Sequence, residues 1–333
     1  MEYSKINKII VSNAVRKGIR DIAKDSKRAL RSLVDMGAHF SKSRGPTEFF
    51  RAAQKLLDDP KSSYYKLVTN LVASVNHKTL ESVGMNVGYM SWTYGAHQIR
   101  QYENANGYNV PWTVFLNCDS NSNADIEEII SQGQTMGIYS YMFLAGNILY
   151  NLPELLSIFR SHSDCAFILF SDSDMLSVFL SLSDSPMENV LISLEFPQKD
   201  IKENVKALCD RKRFWGMHYI YNDENAQEII SGSLLQQCLE EKSNIIFLIT
   251  GSQCSPGTIA AVNEYVDKVR KSKAYPIFIS NLFSDVKYVD TVISSEPFTK
   301  VLLADDTIIL KEKTISDIGR KQTSLADIFK DSK

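Results

Sequence analysis

Five cysteines are the first candidates for chemistry: Cys118, Cys165, Cys209, Cys238 and Cys254, separated by 47, 44, 29 and 16 positions. No two form a Cys-x-x-Cys pair, so neither a zinc ribbon nor a thioredoxin-type redox motif is encoded, and no metal-ligand set is expected. Scattered thiols in odd number fit a reducing compartment, and a cytoplasmic protein is expected. Glu195 closes an apolar run and could act as an acid or base, or simply bond a neighbouring loop. His218 stands inside Phe-Trp-Gly-Met-His-Tyr, where it is either a ligand or a satisfied core histidine. With Cys118 or Cys254 it could form a nucleophile pair. Gly251–Thr258 is a turn with Ser255 as cap and Pro256 at the first helical position, open to phosphate or only capped. It lacks the Gly-Lys-Ser/Thr ending of a Walker loop.

The elements that must position these residues follow one rhythm from Trp112 onward. Apolar strands are predicted at Trp112–Cys118, Tyr139–Gly146, Ala166–Ser171, Val190–Phe196, Phe214–Tyr221, Ile245–Thr250 and Ile277–Asn281. Amphipathic helices are predicted between them, at Asp125–Met136, Pro153–Ser161, Met175–Leu182, Ile201–Lys212, Ala226–Lys242 and Thr258–Lys271. Such alternation predicts a parallel α/β sheet, either a partial or full barrel or an open doubly wound sheet. In a barrel the strand C-termini form one mouth. The polar residues expected there are Asn117, Cys118, Asn147, Asp172, Asp174, Glu195, His218, Tyr221, Cys254, Ser255 and Asn281.

The first 110 residues read as helix instead. Residues 1–44 carry eleven Lys/Arg against four Asp/Glu, a net +7 that leaves −9 on the rest of a chain whose total is −2. Their apolar residues recur at three- and four-residue spacing, so a basic amphipathic arm is predicted. It lies on its own chain, or reaches a partner or an anionic membrane surface. After a break at 43–46, residues 45–110 form a helical lead-in, with Thr47–Asp58 and Tyr64–Val75 as helices and Tyr89, Trp92, Tyr94 and Trp112 as an aromatic cluster. The barrel occupies 111–310 and a tail 311–333. The near-neutral charge removes global basicity as a reason to expect nucleic acid. No apolar stretch approaches a membrane span and no secretory signal is read at Met1–Arg20.

The runs NVPWTVFLNC (109–118), ADIEEIISQGQTMGIYSYMFLAGNIL (124–149), LPELLSIFRSHSDCAFILFSDSDML (152–176) and NVLISLEF (189–196) resemble a clostridial-type subgroup of radical SAM proteins, as does the lead-in GMNVGYMSWTYGAHQIRQYENANGYNVPW (84–112). The resemblance implies a partial (β/α) barrel of six or seven parallel strands preceded by an all-helical segment. It also implies a cluster-binding Cys-x-x-x-Cys-x-x-Cys loop after the first strand and Gly-Gly-Glu-Pro after the second. This sequence has Asn117-Cys118-Asp119-Ser120-Asn121-Ser122-Asn123 at the first place and Ala145-Gly146-Asn147-Ile148 at the second. The third-strand turn reads Ser171-Asp172-Ser173-Asp174, and one thiolate cannot hold a four-iron cluster. The expectation is therefore a pseudoenzyme without iron–sulfur cluster or other cofactor, binding a peptide, a protein or a sibling enzyme. The alternative is a cluster-independent enzyme, or an S-adenosylmethionine-binding protein, using Glu195, His218 and Cys254 at the mouth.

Overall fold

A computed structural model describes residues 2–40, 44–117, 123–144, 152–182, 187–251, 254–294, 302–304, 307–310, 313–315 and 324–330. The helical half comprises α1 (Glu2–Ile22), α2 (Ser26–Phe40), α3 (Arg44–Leu57), α4 (Tyr64–Ser74), α5 (His77–Val83), a π-helical stretch at Gly84–Gly95, and α6 (Ala96–Asn106). Then follow β1 (Thr113–Asn117), α7 (Asn123–Met136), β2 (Ser140–Leu144), α8 (Leu152–Ser161), β3 (Ala166–Ser171), α9 (Ser173–Leu182), β4 (Val190–Glu195), α10 (Ile201–Asp210) and β5 (Trp215–Tyr221). The alternation continues through α11 (Ala226–Ile230), α12 (Ser233–Glu240), β6 (Ile245–Thr250), α13 (Pro256–Ser272), β7 (Phe278–Asn281) and α14 (Leu282–Ile293). Beyond it lie β8 (Leu302–Ala304), β9 (Thr307–Leu310), β10 (Lys313–Ile315) and α15 (Leu325–Lys330).

Strands β1 to β7 lie side by side in chain order and all pair in parallel. The short β8 returns to the outer side of β1 and pairs parallel with it, Phe115 opposite Leu302. The curved sheet is thus a partial barrel left open between β7 and β8, as expected from the sequence, with β9 and β10 added antiparallel to β8. The connecting α14 spans that opening. Its Phe283 ring lies 5.3 Å from Phe115 of β1, and Trp112 Nε1 donates to Val286 O at 3.2 Å. Trp112 N donates to the buried Asp290 carboxylate at 3.1 Å, which fixes the entry to β1.

Each strand face has a distinct job. Tyr141 and Phe143 both meet Phe167, and Phe159 of α8 stands edge-on to Phe143 and stacked on Phe167, at 4.9 and 4.3 Å between ring centres. Alternate strand residues therefore face the helix layer, and the intervening ones line the concave side. Each large side chain buried this way contributes about 1.5–3 kcal/mol. The predicted 226–242 helix is two helices, because Gly232 adopts φ 84°, a left-handed turn that ends α11 before α12 starts. The arm predicted as one periodic stretch likewise breaks between α1 and α2.

The helical half seals the barrel at the N-terminal ends of its strands. Asn86 donates to the carbonyls of Ser163 (2.9 Å) and Cys165 (2.8 Å), just before β3, and Ser91 Oγ meets Ser140 Oγ of β2 at 2.7 Å. Gly137, at φ 102° before β2, lies so close to the helix that a β-carbon there would stand 2.6 Å from Gly95 O and 2.8 Å from Ile99 N. Ser63 N and Asn76 N donate to Lys273 O and Lys212 O, ahead of β7 and β5. The arm docks on the same end. Lys8 Nζ reaches both oxygens of Asp164 at 2.7 Å, Arg16 pairs with Glu81 at 2.6 Å, and Ile19 and Ile22 pack on Val72.

Candidate functional site

With one end sealed, the opposite end is the mouth. Phe170 of β3 registers with Ser193 of β4, and His218 of β5, two residues beyond the partner of Ser193, registers with Phe247 of β6; all four share the concave face and are buried. The His218 ring stands edge-on to Phe170 at 5.2 Å, and Phe170 is edge-on to Phe247 at 5.7 Å. Ser193 Oγ lies 3.1 Å from His218 Nδ1. Burial among these rings pushes the imidazole pKa down to about 4, so His218 is neutral at pH 7. Above this floor the rim opens. Glu195 is exposed and registers beside His218, and Ile220, two residues further along β5, is 48% exposed.

The sequence-predicted residues distribute unevenly. Glu195 and His218 come together on adjacent strands. Asp172 and Asp174 stand exposed at the turn into α9, where Asp172 Oδ1 accepts from Met175 N at 2.9 Å and so caps that helix. Tyr221 faces the other side of the sheet from His218. It is fully buried on the helix-facing side, its hydroxyl 3.2 Å from Asn281 Oδ1 and 3.0 Å from Thr250 Oγ1, and Asn281 Nδ2 donates to Asn263 of α13. Tyr221 and Asn281 therefore tie strand ends to the outer layer. Asn117 ends β1 opposite Leu144; its side chain, and Cys118, Gly146 and Asn147, lie outside the described residues.

The α13 N-terminus is already filled by the chain itself. Ser255 Oγ accepts from Thr258 N at 3.3 Å, as its cap role predicts. Asp223, beyond β5, takes the place an anion would occupy: its Oδ1 accepts from Ser255 N and Ser255 Oγ, both at 2.9 Å. Hydrogen bonds from Thr258 and Ser255 hold its pKa low. Cys254 sits next to this carboxylate, and burial together with the Asp223 charge pushes its thiol pKa up. The other described thiols are away from the mouth. Cys165 precedes β3 at the sealed end, Cys209 is on α10, and Cys238 is buried in α12. Among the described residues no three His, Cys, Asp or Glu stand close enough together to hold a metal ion.

Sequence reasoning missed Ser193, Asp223 and the two phenylalanines of the floor. Ser193 was visible as the one hydroxyl inside Val190–Leu194, two positions before Glu195 and hence on its face. Asp223 gave no signal, since its role arises only where the β5 and β6 loops meet.

No protein-family model matches the chain, and no curated protein matches it. Among solved structures, SuiB of Streptococcus suis bound to S-adenosylmethionine is similar at 13% identity and a TM-score of 0.42, over 60% of this chain and 53% of that one. SuiB bound to its precursor peptide SuiA gives 13% and 0.41, over 60% and 55%. Type I 3-dehydroquinate dehydratase of Clostridium difficile gives 12% and 0.42, over 57% and 83%. The chain spans about half the length of the SuiB chains it matches.

Proposed function

We propose that this chain is a radical SAM-like pseudoenzyme: a partial barrel that carries no four-iron cluster and whose mouth binds a peptide or protein segment. The observation that carries the reading is the donor set. A four-iron cluster needs three or four thiolates. Cys118 is the single cysteine following β1, and Cys254, after β6, is the one other thiol at that end. The residues present do not fit the cluster. Ala145-Gly146-Asn147-Ile148 also lacks the acid that would meet the methionine amine. What remains at the mouth suits binding: a neutral aromatic floor, an exposed Ile220, and the carboxylates Glu195, Asp172 and Asp174 at the rim. An apolar surface with a few rim charges fits a peptide carrying an apolar side chain beside a basic one.

The cluster-independent enzyme has less support. A nucleophilic thiol needs a depressed pKa, whereas that of Cys254 is raised, and His218 is a neutral, buried ring turned to Ser193. Anaerobic reconstitution with iron and sulfide tests the proposal. The expected product has no stoichiometric iron and no absorption near about 400 nm, where thiolate-bound clusters absorb. Four irons per chain with such a band, lost in Cys118→Ala, would overturn it. Titration with S-adenosylmethionine by calorimetry is expected to show no binding.

A further inference from the structure

The arm has a second face that its docking does not use. Along α1 the exposed residues are Ile6, Ile9, Ile10, Asn13, Arg16, Lys17, Arg20 and Lys24 just beyond its end, spaced three or four apart and hence one continuous stripe. The stripe divides lengthwise. Its first half is three isoleucines, 55%, 61% and 45% exposed, and its second half is cationic. Arg16 is committed to Glu81, which Arg20 also faces, while Lys17 and Lys24 have no ion pair among the described residues. We infer that this stripe docks the protein on an anionic lipid surface, with Ile6, Ile9 and Ile10 in the headgroup–acyl boundary and Lys17, Arg20 and Lys24 against lipid phosphates.

Three observations favour a lipid surface over a protein. The apolar part is only three side chains, far short of the roughly 800 Å² per partner that a stable protein interface covers. A bilayer needs no such area, because shallow apolar insertion and charge attraction add along one plane. Two-fold pairing with a second copy would set the cations against the partner's isoleucines or against its cations. The charge of the whole molecule is also polarised: +7 lies in residues 1–44 and −9 in the remainder. An anionic plane therefore attracts the arm and repels the body. Since the arm docks at the sealed end, through Lys8–Asp164 ahead of β3, this orientation leaves the mouth facing away from the membrane. The inference is independent of what the mouth binds.

Vesicle co-sedimentation of the full chain decides it, with phosphatidylcholine alone compared against equimolar phosphatidylcholine and phosphatidylglycerol. Wild type is expected to pellet with the anionic vesicles only, and to be released by salt. Each cation near the surface is worth about five-fold in partitioning, so Lys17→Glu with Arg20→Glu should lower it at least about 25-fold. Ile9→Asp should lower it about ten-fold or more. Both sites are exposed, so the melting temperature should stay within a degree or two of wild type, about what a surface change of up to 0.5 kcal/mol produces. Absence of pelleting with anionic vesicles would overturn the inference, as would pelleting that neither variant weakens. A concentration-dependent dimer in sedimentation velocity, abolished by Ile9→Asp, would also overturn it by giving the stripe to a second copy.

Discussion

Protonating His218 should destabilise the fold. The ring is 5% exposed, lies edge-on to Phe170, and has Ser193 as its hydrogen-bond partner among the described residues. Glu195, its register neighbour on β4, is exposed to solvent. The folded pKa is about 4 against 6.5 for a free side chain. Between those values the unfolded chain binds the extra proton, so stability rises with pH through that window. The contribution is complete above pH 6.5 and is lost as pH falls towards 4. At about 1.4 kcal/mol per pKa unit the loss is about 3 kcal/mol, a sizeable part of the 5–15 kcal/mol that holds an ordinary domain together. Other groups titrate in the same range, so the measurement is a difference. Urea unfolding of wild type and His218→Phe, repeated from pH 7 to pH 4, isolates the imidazole. Phe fits the aromatic floor and costs about 1 kcal/mol for the Ser193 hydroxyl it leaves unpaired. Wild type should lose about 3 kcal/mol relative to the variant across that range. A flat difference would refute the reasoning, and so would an imidazole proton resonance titrating near its free value.

Three further outcomes follow from the packing. Gly107→Ala and Gly137→Ala both place a side chain at positive φ, but Gly107 has open space and Gly137 meets Gly95 O and Ile99 N, so urea unfolding should show about 1 kcal/mol lost for the first and 3 or more for the second. Equal costs would mean that the helix does not press on the turn before β2. Arg270 holds Asp285 at 2.5 Å and donates from Nε and Nη2 to Ile279 O on the open edge of β7, so Arg270→Ala should cost about 2 kcal/mol, with Arg270→Lys recovering little of it, by the same measurement. Burial raises the pKa of Glu103, whose Oε1 accepts from Val110 N and Ser294 Oγ. Its carboxylate therefore costs stability that grows as pH rises above the unfolded value, and Glu103→Gln should flatten that part of the stability–pH curve rather than lower it.

The parallel strands were legible because strands buried on both faces are unbroken apolar runs. Ala166–Ser171 and Ile245–Thr250 coincide with β3 and β6 to the residue. What lacked such a run was not read. The three-residue β8 matters through its partner β1, and α14 starts directly at Asn281 with no loop to announce it. The π-helical Gly84–Gly95 winds more residues per turn, which a 3.6-residue pattern does not register. Within the site, proximity to strand ends does not say which face a residue takes: positions 218 and 221 differ by three, so on one strand they face opposite sides of the sheet. The amphipathic pattern of the N-terminal arm does not say what its faces meet; one face of α1 docks on the chain through Lys8–Asp164 and Arg16–Glu81.

The contacts that join the helical half to the barrel gather at one end of the strands. The sealed end depends on positions that admit little change: Gly95 against Gly137, Asn86 across two carbonyls, Ser91 on Ser140, and Asp290 on the first amide before β1. The helix layer adds the aromatic stack on Phe159, and the opening beside β7 is closed by α14. At the mouth, described side chains engage one another. His218, a residue type suited to proton transfer at neutral pH, is instead built into a neutral aromatic floor, and Asp223 fills the helix N-terminus that an anionic ligand could have used. Among the described residues of this mouth, Ile220 and the carboxylates Glu195, Asp172 and Asp174 are exposed to another molecule.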